Sequence, residues 1–270
     1  MTTSGPRPDH QRVAVTGYGV QTASGDAEAT FAAVLAGRSA AAPIEAWDAD
    51  GHSTRFACEA GAFDPSPWVG PREARRTDRV SLLGIAAAAA AVEQAGLADP
   101  EDDAWLVDPA RVAVIAGSGV GGIVSLEDQI GTRIERGPER VSPFLIPMMM
   151  ANATAGLISL RYGFHGPSLC VSTACASGAN SIGEASYLIR AGRADVVVAG
   201  GAEASITPTA MAAFGRMGAL SARNDDPATA SRPFDKDRDG FVMGEGAGFL
   251  VLERWDHAVE RGATIVGELL

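Results

Sequence analysis

The sequence predicts an α/β protein with a mostly parallel sheet covered by helices on both faces. Three observations carry this. Apolar runs without alternation, at Arg12–Thr16, Arg111–Ala116, Ala194–Ala199 and Phe249–Leu252, read as strands buried on both sides. Segments of helical character lie between them, which is the pattern of α/β layers. Several of the runs also end in glycine-rich turns, at Gly17-Tyr18-Gly19, Gly117–Gly122 and Gly200-Gly201. Sheets of this kind place their chemistry at the carboxyl ends of the strands.

Each element has its own signal. Residues 1–11 are polar, contain two prolines and read as a disordered tail. Arg12–Thr16 is the first strand. Gly17 and Gly19 suggest a dinucleotide loop, but Val20, Gln21 and Thr22 follow with no third glycine at the required spacing. Asp26–Leu35 is a helix with Gly37 beyond its end. Asp48–Trp68 is rich in turn residues and reads as a surface excursion. Val80–Ala95 is alanine-dense, a strong helix former that permits close packing. Gly117–Gly122 lacks the Gly-Lys-Ser/Thr of a P-loop, so its small residues serve close backbone approach. Ile123–Ile134 suits a helix. Val141–Leu160 holds three consecutive methionines, which cannot share one helix face; burial on several sides follows, as in a pocket wall or a subunit interface. Ala176–Ile189 is a helix closed by Gly192, and Thr207–Met217 another with Pro208 at its start. Leu220–Asp239 is a polar loop. Trp255–Arg261 is a short helix, and Thr264–Leu270 begins a last strand.

Composition narrows the function. The 270 residues carry a net charge of −11, which excludes nonspecific nucleic-acid binding. Three cysteines, Cys58, Cys170 and Cys175, form no disulfide framework and fit a reducing compartment. The amino terminus has no apolar signal-peptide core, and no stretch reaches the roughly 20 apolar residues of a spanning helix. The expected location is the cytoplasm. Cys170 and Cys175 have no second Cys or His cluster, so no metal site is expected. Against this acidic background, Arg72, Arg75, Arg76 and Arg79 form a local basic run. It is either a solvated helix start or a docking patch for an acidic partner.

The chemistry centres on Cys170-Val171-Ser172-Thr173-Ala174-Cys175-Ala176-Ser177-Gly178. An apolar run leads into small residues, a turn and then a helix. The first N–H groups of a helix are unpaired and carry partial positive charge, the setting in which thiol nucleophiles are found. The local pattern leaves two readings of Cys175: a nucleophile holding a covalent intermediate, or a small buried hydrophobe. His10, His52, His165 and His257 are scattered. His165 lies ten residues before Cys175 in a turn that suits a loop role, so a triad within this chain has little support.

Residues 171–178 resemble the active-site signature of the β-ketoacyl-acyl carrier protein synthases, elongating condensing enzymes of the thiolase-like superfamily. Further segments are similar to the same family in the same order: residues 13–19, 141–144 and 166–168, the strand 194–203 ending in Gly200-Gly201-Ala202-Glu203, and the long signature 231–248. The resemblance implies the N-terminal half of a thiolase-like fold over 12–270, with a mostly parallel five-stranded sheet. It implies decarboxylative condensation of an acyl thioester held on Cys175 with a malonyl thioester on a carrier protein, in fatty acid or type II polyketide biosynthesis. The Cys175 N–H would be half of the oxyanion hole. No cofactor is implied, since phosphopantetheine arrives on the carrier protein.

By position in the family, Val120 lines the acyl pocket. Phe214 and Phe241 are aromatic positions near the site, Phe241 nearer the decarboxylation chemistry. Phe144 and Leu145 supply pocket wall across a dimer interface. Arg75, Arg76, Arg136 and Arg140 fall where an acidic carrier protein docks. The implied partners are that carrier protein and, in a homodimer or heterodimer, a ketosynthase C-terminal half or a chain-length partner. The family's two catalytic histidines, its lysine and its Phe-Gly loop belong to a second half that this sequence does not match. Full activity is therefore expected only with that half. A noncatalytic carrier-binding or scaffold subunit is the alternative, and the intact cysteine argues against it. A thiolase shares the fold, but Asp235-Lys236-Asp237-Arg238-Asp239-Gly240-Phe241-Val242 favours the synthase side.

Overall fold

A computed structural model describes residues 7–97 and 104–270. In chain order the elements are β1 (Val13–Thr22), α1 (Ala27–Leu35), β2 (Ala42–Pro43), β3 (Phe56–Ala57), α2 (Pro71–Ala74), α3 (Arg79–Ala95), β4 (Val112–Gly117), α4 (Ile123–Arg136), α5 (Leu145–Met149), α6 (Ala153–Tyr162), β5 (Ser168–Leu169), α7 (Ser177–Arg190), β6 (Val196–Glu203), α8 (Pro208–Arg216), β7 (Gly246–Arg254), α9 (Trp255–Glu260) and β8 (Gly267–Leu269).

The α/β class and the helices on both faces are found as the sequence predicts. The sheet differs from expectation in detail. It has six strands rather than five, in the order β5-β4-β6-β7-β1-β8. Parallel pairing is confined to β5-β4 and β4-β6, while β6-β7, β7-β1 and β1-β8 are antiparallel. The sequence could not show this. A strand covered on both faces is apolar throughout in either orientation, so its pattern is silent about direction.

Alternate residues of the strands feed two cores. Val112, Val114, Val196, Val198 and Val251 face α3 and α6. Ala113, Ile115, Val197 and Leu252 face α7, meeting Ala185 and Ile189. The period of two along a pleated strand sorts the residues in this way. The alanine run of α3 and the glycines of β1 belong together. A Cβ on Gly17 would stand 2.1 Å from the Ala91 carbonyl oxygen, and one on Gly19 2.0 Å from that of Ala87. Gly17 and Gly19 thus bring a helix down onto a strand. Asp78 caps α3 by accepting the Val80 N–H, and its second oxygen accepts the Ser125 N–H of α4 at 2.7 Å. Thr207 caps α8 through the Ala210 N–H, with Pro208 next.

Three further expectations change. Residues 1–6 of the expected tail lie outside the described residues, and within the rest Asp9–Gln11 form a 3₁₀ turn. The excursion over 48–68 is partly internal: Thr54, Phe56, Ala57 and Ala60 are buried, and the Cys58 N–H donates to the Met243 carbonyl. Turn-rich composition marked the chain reversals and hid the packed residues between them. The Met-rich segment is not enclosed by this chain, since Ile146 and Met150 are exposed. Apolar character alone does not say which chain supplies the cover.

At the far end of the sheet from the glycine turns of β4 and β6, Glu253 is fully buried. Its carboxylate accepts two bonds from the Arg261 guanidinium, at 2.7 and 2.8 Å. Its Oε1 also lies 2.6 Å from His257 Nδ1. Burial raises the Glu253 pKa, but the bonds from Arg261 and His257 outweigh it and hold the carboxyl below its usual range. Arg261 also donates to the carbonyls of Ala95 and Gly96, tying the end of α3 to α9. Arg261→Ala leaves a buried carboxylate without its main partner and should cost about 3–5 kcal/mol in a urea titration. Because the folded-state pKa is depressed, this stabilisation is present above the unfolded glutamate value of about 4.3 and is lost as pH falls through the folded value. Wild type should therefore lose stability in acid more steeply than Arg261→Ala, and equal slopes below pH 5 would refute the assignment.

Candidate active site

Strands β4 and β6 run parallel and end side by side, at Gly117 and at Glu203. The amino end of α7 rests on them. There is no room for side chains at this contact: a Cβ on Gly117 would lie 2.4 Å from the Ser177 carbonyl oxygen, and one on Gly201 2.8 Å from Gly178 Cα. The helix therefore starts directly above the strand ends.

Cys175 stands two residues before the first residue of α7 and is exposed. The buried-hydrophobe reading of this cysteine does not hold. Ala174 before it adopts φ of +52°, a left-handed conformation that costs an L-residue about 1 kcal/mol or more. Ser177 closes the turn. Its hydroxyl donates to the Ala174 carbonyl at 2.6 Å and accepts the Thr173 N–H at 2.9 Å. Asn180, one turn into α7, donates from Nδ2 to Thr173 Oγ1 at 2.8 Å. Among the described residues the Cys175 N–H donates to no protein acceptor. The loop is thus fixed from both sides while the thiol and its own N–H stay free for a ligand. Cys58 and Cys170 differ: both are partly buried, and burial pushes each thiol pKa up.

The glycine-rich turn after β4 lies against this loop. A Cβ on Gly119 would come 3.6 Å from Ala174 Cα, and the Ser172 hydroxyl donates to the Gly119 carbonyl at 3.5 Å. Val120, next in the turn, is 52% exposed. Cys175 and Val120 are therefore brought to neighbouring loops. Phe214 and Phe241 are also brought together, edge to face with centroids 5.6 Å apart. Phe214 packs on Met211, Leu220 and Met243, and Phe241 stays exposed.

Arg75, Arg76, Arg136 and Arg140 are all exposed. Arg75 Nε donates to the Pro71 carbonyl. The Arg76 guanidinium sits 4.2 Å from the centroid of the Phe144 ring, while Leu145 begins α5. The residues read separately as docking and pocket groups thus touch each other. Arg79 leaves the basic run. It pairs with Glu245, Nε to Oε2 at 2.7 Å, and donates to the Ala60 carbonyl.

The histidines are elsewhere. The His165 N–H donates to the Pro109 carbonyl and the neighbouring Gly166 N–H to that of Val112, which places His165 at the amino end of β4, opposite Cys175. His257 is paired with Glu253. His52 Nε2 lies 3.3 Å from the Pro208 carbonyl. Among the described residues no three His, Cys, Asp or Glu side chains gather as a metal site, and no helix is long and apolar enough to cross a membrane. A cleft of about 590 Å³ lined by Trp47, Arg79, Glu127 and Glu245 does not include Cys175. Sequence reasoning missed two residues here. Ala174 gives no sign of its backbone conformation. Glu203 does, as an acid closing an otherwise apolar strand. Its carboxylate accepts the Gly119 N–H at 2.7 Å and the Ser118 hydroxyl at 3.1 Å.

An exposed thiol just before a helix, over the carboxyl ends of parallel strands, is a class of site suited to covalent nucleophilic chemistry. Within that class the chain belongs to the β-ketoacyl synthase family: the family model "Beta-ketoacyl synthase, N-terminal domain" matches residues 10–258. The chain is 45% identical over 261 residues to a 3-oxoacyl-[acyl-carrier-protein] synthase 2 of Vibrio cholerae, covering 96% of this chain and 62% of that relative. A solved structure described as "The ishigamide ketosynthase/chain length factor" matches with a TM-score of 0.85 and 35% identity, over 96% of this chain and 62% of that one. A second, "AntDE:AntF (apo): type II PKS acyl-carrier protein in complex with its ketosynthase bound to the hexaketide", matches with a TM-score of 0.79 and 30% identity, over 96% and 62%. The fold is the N-terminal part of the thiolase-like architecture, and the chain spans 62% of the length of the curated relative.

Brief treatment of the native chain with iodoacetamide, followed by peptide mapping, should label Cys175 first. Exposure favours it, and burial both shields Cys58 and Cys170 and raises their pKa values. Labelling of Cys58 or Cys170 ahead of Cys175 would contradict the assignment of the nucleophile.

Proposed function

We propose that this chain is the nucleophile-bearing part of a β-ketoacyl synthase of fatty acid or type II polyketide biosynthesis. The observation that carries the reading is Cys175, exposed at the start of α7 with its own N–H unengaged. In the first step the Cys175 thiolate attacks the carbonyl of an acyl-phosphopantetheine thioester. The oxyanion forms against the Cys175 N–H. The carrier thiol leaves, and the acyl group stays on Sγ. In the second step a malonyl-carrier thioester loses CO₂, and its α-carbon attacks the acyl-Cys175 carbonyl. The Cys175 sulfur leaves as thiolate, and the product is a 3-oxoacyl-carrier thioester. A C-terminal half supplies the decarboxylating histidines and the second oxyanion N–H. No separate cofactor takes part, and the setting is the cytoplasm.

Val120 lines the acyl side of the site, and Phe214 and Phe241 are aromatic groups near it, Phe241 on the side of the decarboxylation chemistry. Phe144 and Leu145 complete it across a subunit interface. Exposed apolar side chains support that interface: Ile146 and Met150 follow Phe144 and Leu145 in the chain and are exposed. The second subunit is another ketosynthase chain or a chain-length partner. The carrier protein docks on Arg75, Arg76, Arg136 and Arg140, whose charge stands out from the net −11 of the chain. Charge complementarity with an acidic carrier speeds encounter and sets orientation.

Incubation with an acyl-carrier protein should give one acyl adduct on Cys175 by mass spectrometry, and none on Cys175→Ala. Arg76→Glu should slow that acylation about fivefold at low salt, the worth of about 1 kcal/mol at an exposed charge, and less at high salt. Acylation from a small thioester donor without a carrier should be unaffected by Arg76→Glu. Equal slowing with both donors would remove the docking role, and no adduct on Cys175 would remove the function.

A further inference from the structure

Glu203 has no part in the chemistry just described, yet it touches the one turn that the site shares with the nucleophile loop. It ends β6, and its two carboxylate oxygens are divided between two donors. Oε2 accepts the Gly119 N–H at 2.7 Å, and Oε1 accepts the Ser118 hydroxyl at 3.1 Å. Ser118 Oγ in turn accepts the Gly121 N–H at 2.9 Å. One side chain therefore holds the turn both before and after Val120. Hydrogen bonds to a charged acceptor are the stronger kind; the two bonds to Glu203 are half-buried, and the bond from Gly121 to Ser118 is buried. Gly119 is packed between the two: a Cβ there would lie 2.8 Å from Glu203 Oε2 and 3.6 Å from both Cα and O of Ala174.

We infer that Glu203 is a positioning residue: it clamps the turn 118–122 against the Ala174–Cys175 loop and so sets the apolar wall that Val120 presents to a chain carried on Cys175. The inference rests on the reading of Cys175 as the acylated thiol. Glu203 itself touches neither acyl group nor carrier. It acts through the backbone of Gly119 and the hydroxyl of Ser118, and a side chain at position 119 would displace the carboxylate. Loss of the carboxylate frees the turn to move away from the thiol, and an apolar tail then loses contact with Val120 while the thiol keeps its own loop.

The test compares the full chain with Glu203→Ala, Glu203→Gln and Gly119→Ala. Each protein is treated with iodoacetamide and with N-decyl iodoacetamide, and Cys175 modification is followed by mass spectrometry. Both reagents alkylate the thiolate with loss of iodide, and they differ only in the apolar tail. The readout is the ratio of the two rates relative to free cysteine, which general loosening or thiol accessibility would move equally for both. In wild type the ratio should exceed that of free cysteine. In Glu203→Ala it should fall about fourfold, the worth of one methylene in apolar contact. Glu203→Gln retains an acceptor for the Gly119 N–H and should restore most of the ratio. Gly119→Ala pushes the carboxylate away and should match Glu203→Ala, and the double variant should be no worse than either single one. Gly119→Ala carries the test if Glu203→Ala fails to fold. A wild-type ratio equal to that of free cysteine, an unchanged ratio in the variants, or multiplying effects in the double variant would overturn the inference alone. A wild-type chain in which Cys175 does not react would overturn the catalytic reading as well.

Discussion

The contact between the start of α7 and the ends of β4 and β6 is the constraint on which the rest of the site depends. Helix and strands meet backbone to backbone, at distances that exclude a Cβ on Gly117 or on Gly201, the latter against Gly178. Interiors are packed as densely as organic crystals, so a methyl at Gly117 or Gly201 would have to lift α7 off the sheet. The lift would carry Cys175 with it, because Ser177 binds Thr173 and Ala174 just before the cysteine and Asn180 holds Thr173. The position of the thiol is therefore set by the absence of side chains beneath it. The same device recurs at Gly17 and Gly19 under α3, where the result is structural only.

The charges divide along the same axis. At the far end of the sheet, acids and bases are spent on one another. Glu253 is enclosed by Arg261 and His257, and Asp195 accepts two bonds from Arg111, which hold its carboxyl below the usual range. Arg79 is the intermediate case. It comes from the basic run, yet its guanidinium pairs with Glu245 and donates to the Ala60 carbonyl, so it braces the start of α3. Arg76 remains exposed over the Phe144 ring. A basic run in an acidic chain thus contains groups with opposite roles, and only their partners separate them.

The sequence made the strands, the long helices and the position of Cys175 legible because each has a local cause. Uniform apolar runs mark strands covered on both sides, Asp78 and Thr207 mark helix starts, and small residues mark the turns. Strand direction was not legible, because β7 between β6 and β1 is as apolar as its neighbours whichever way it runs. Nor was the packing of Phe56 and Ala57 inside a stretch of turn residues. Val120 and the pair Phe214 and Phe241 came from resemblance and not from pattern. Their approach to each other or to the nucleophile loop depends on long-range folding of the 117–122 and 220–241 segments. Glu203 was visible as an acid at the end of an apolar strand. Its partners lie some eighty residues earlier in the chain, and no local rule connects them.

The geometry also explains how the thiol of Cys175 is placed by this part of the protein alone. Holding Cys175 needs only a helix, two strand ends and a turn, all built from contiguous stretches between Gly117 and Glu203. Moving protons at that thiol needs a base on the open side of the loop. The described histidines lie elsewhere: His10 precedes β1, His165 sits at the amino end of β4, His257 pairs with Glu253, and His52 lies beside the Pro208 carbonyl. On the proposed chemistry, acid–base groups must therefore approach from outside these elements, over the same exposed face that receives the acyl chain. On that proposal the fold keeps Cys175 and Val120 together at one sheet edge and leaves the proton chemistry to be brought to it, which makes acylation separable from condensation.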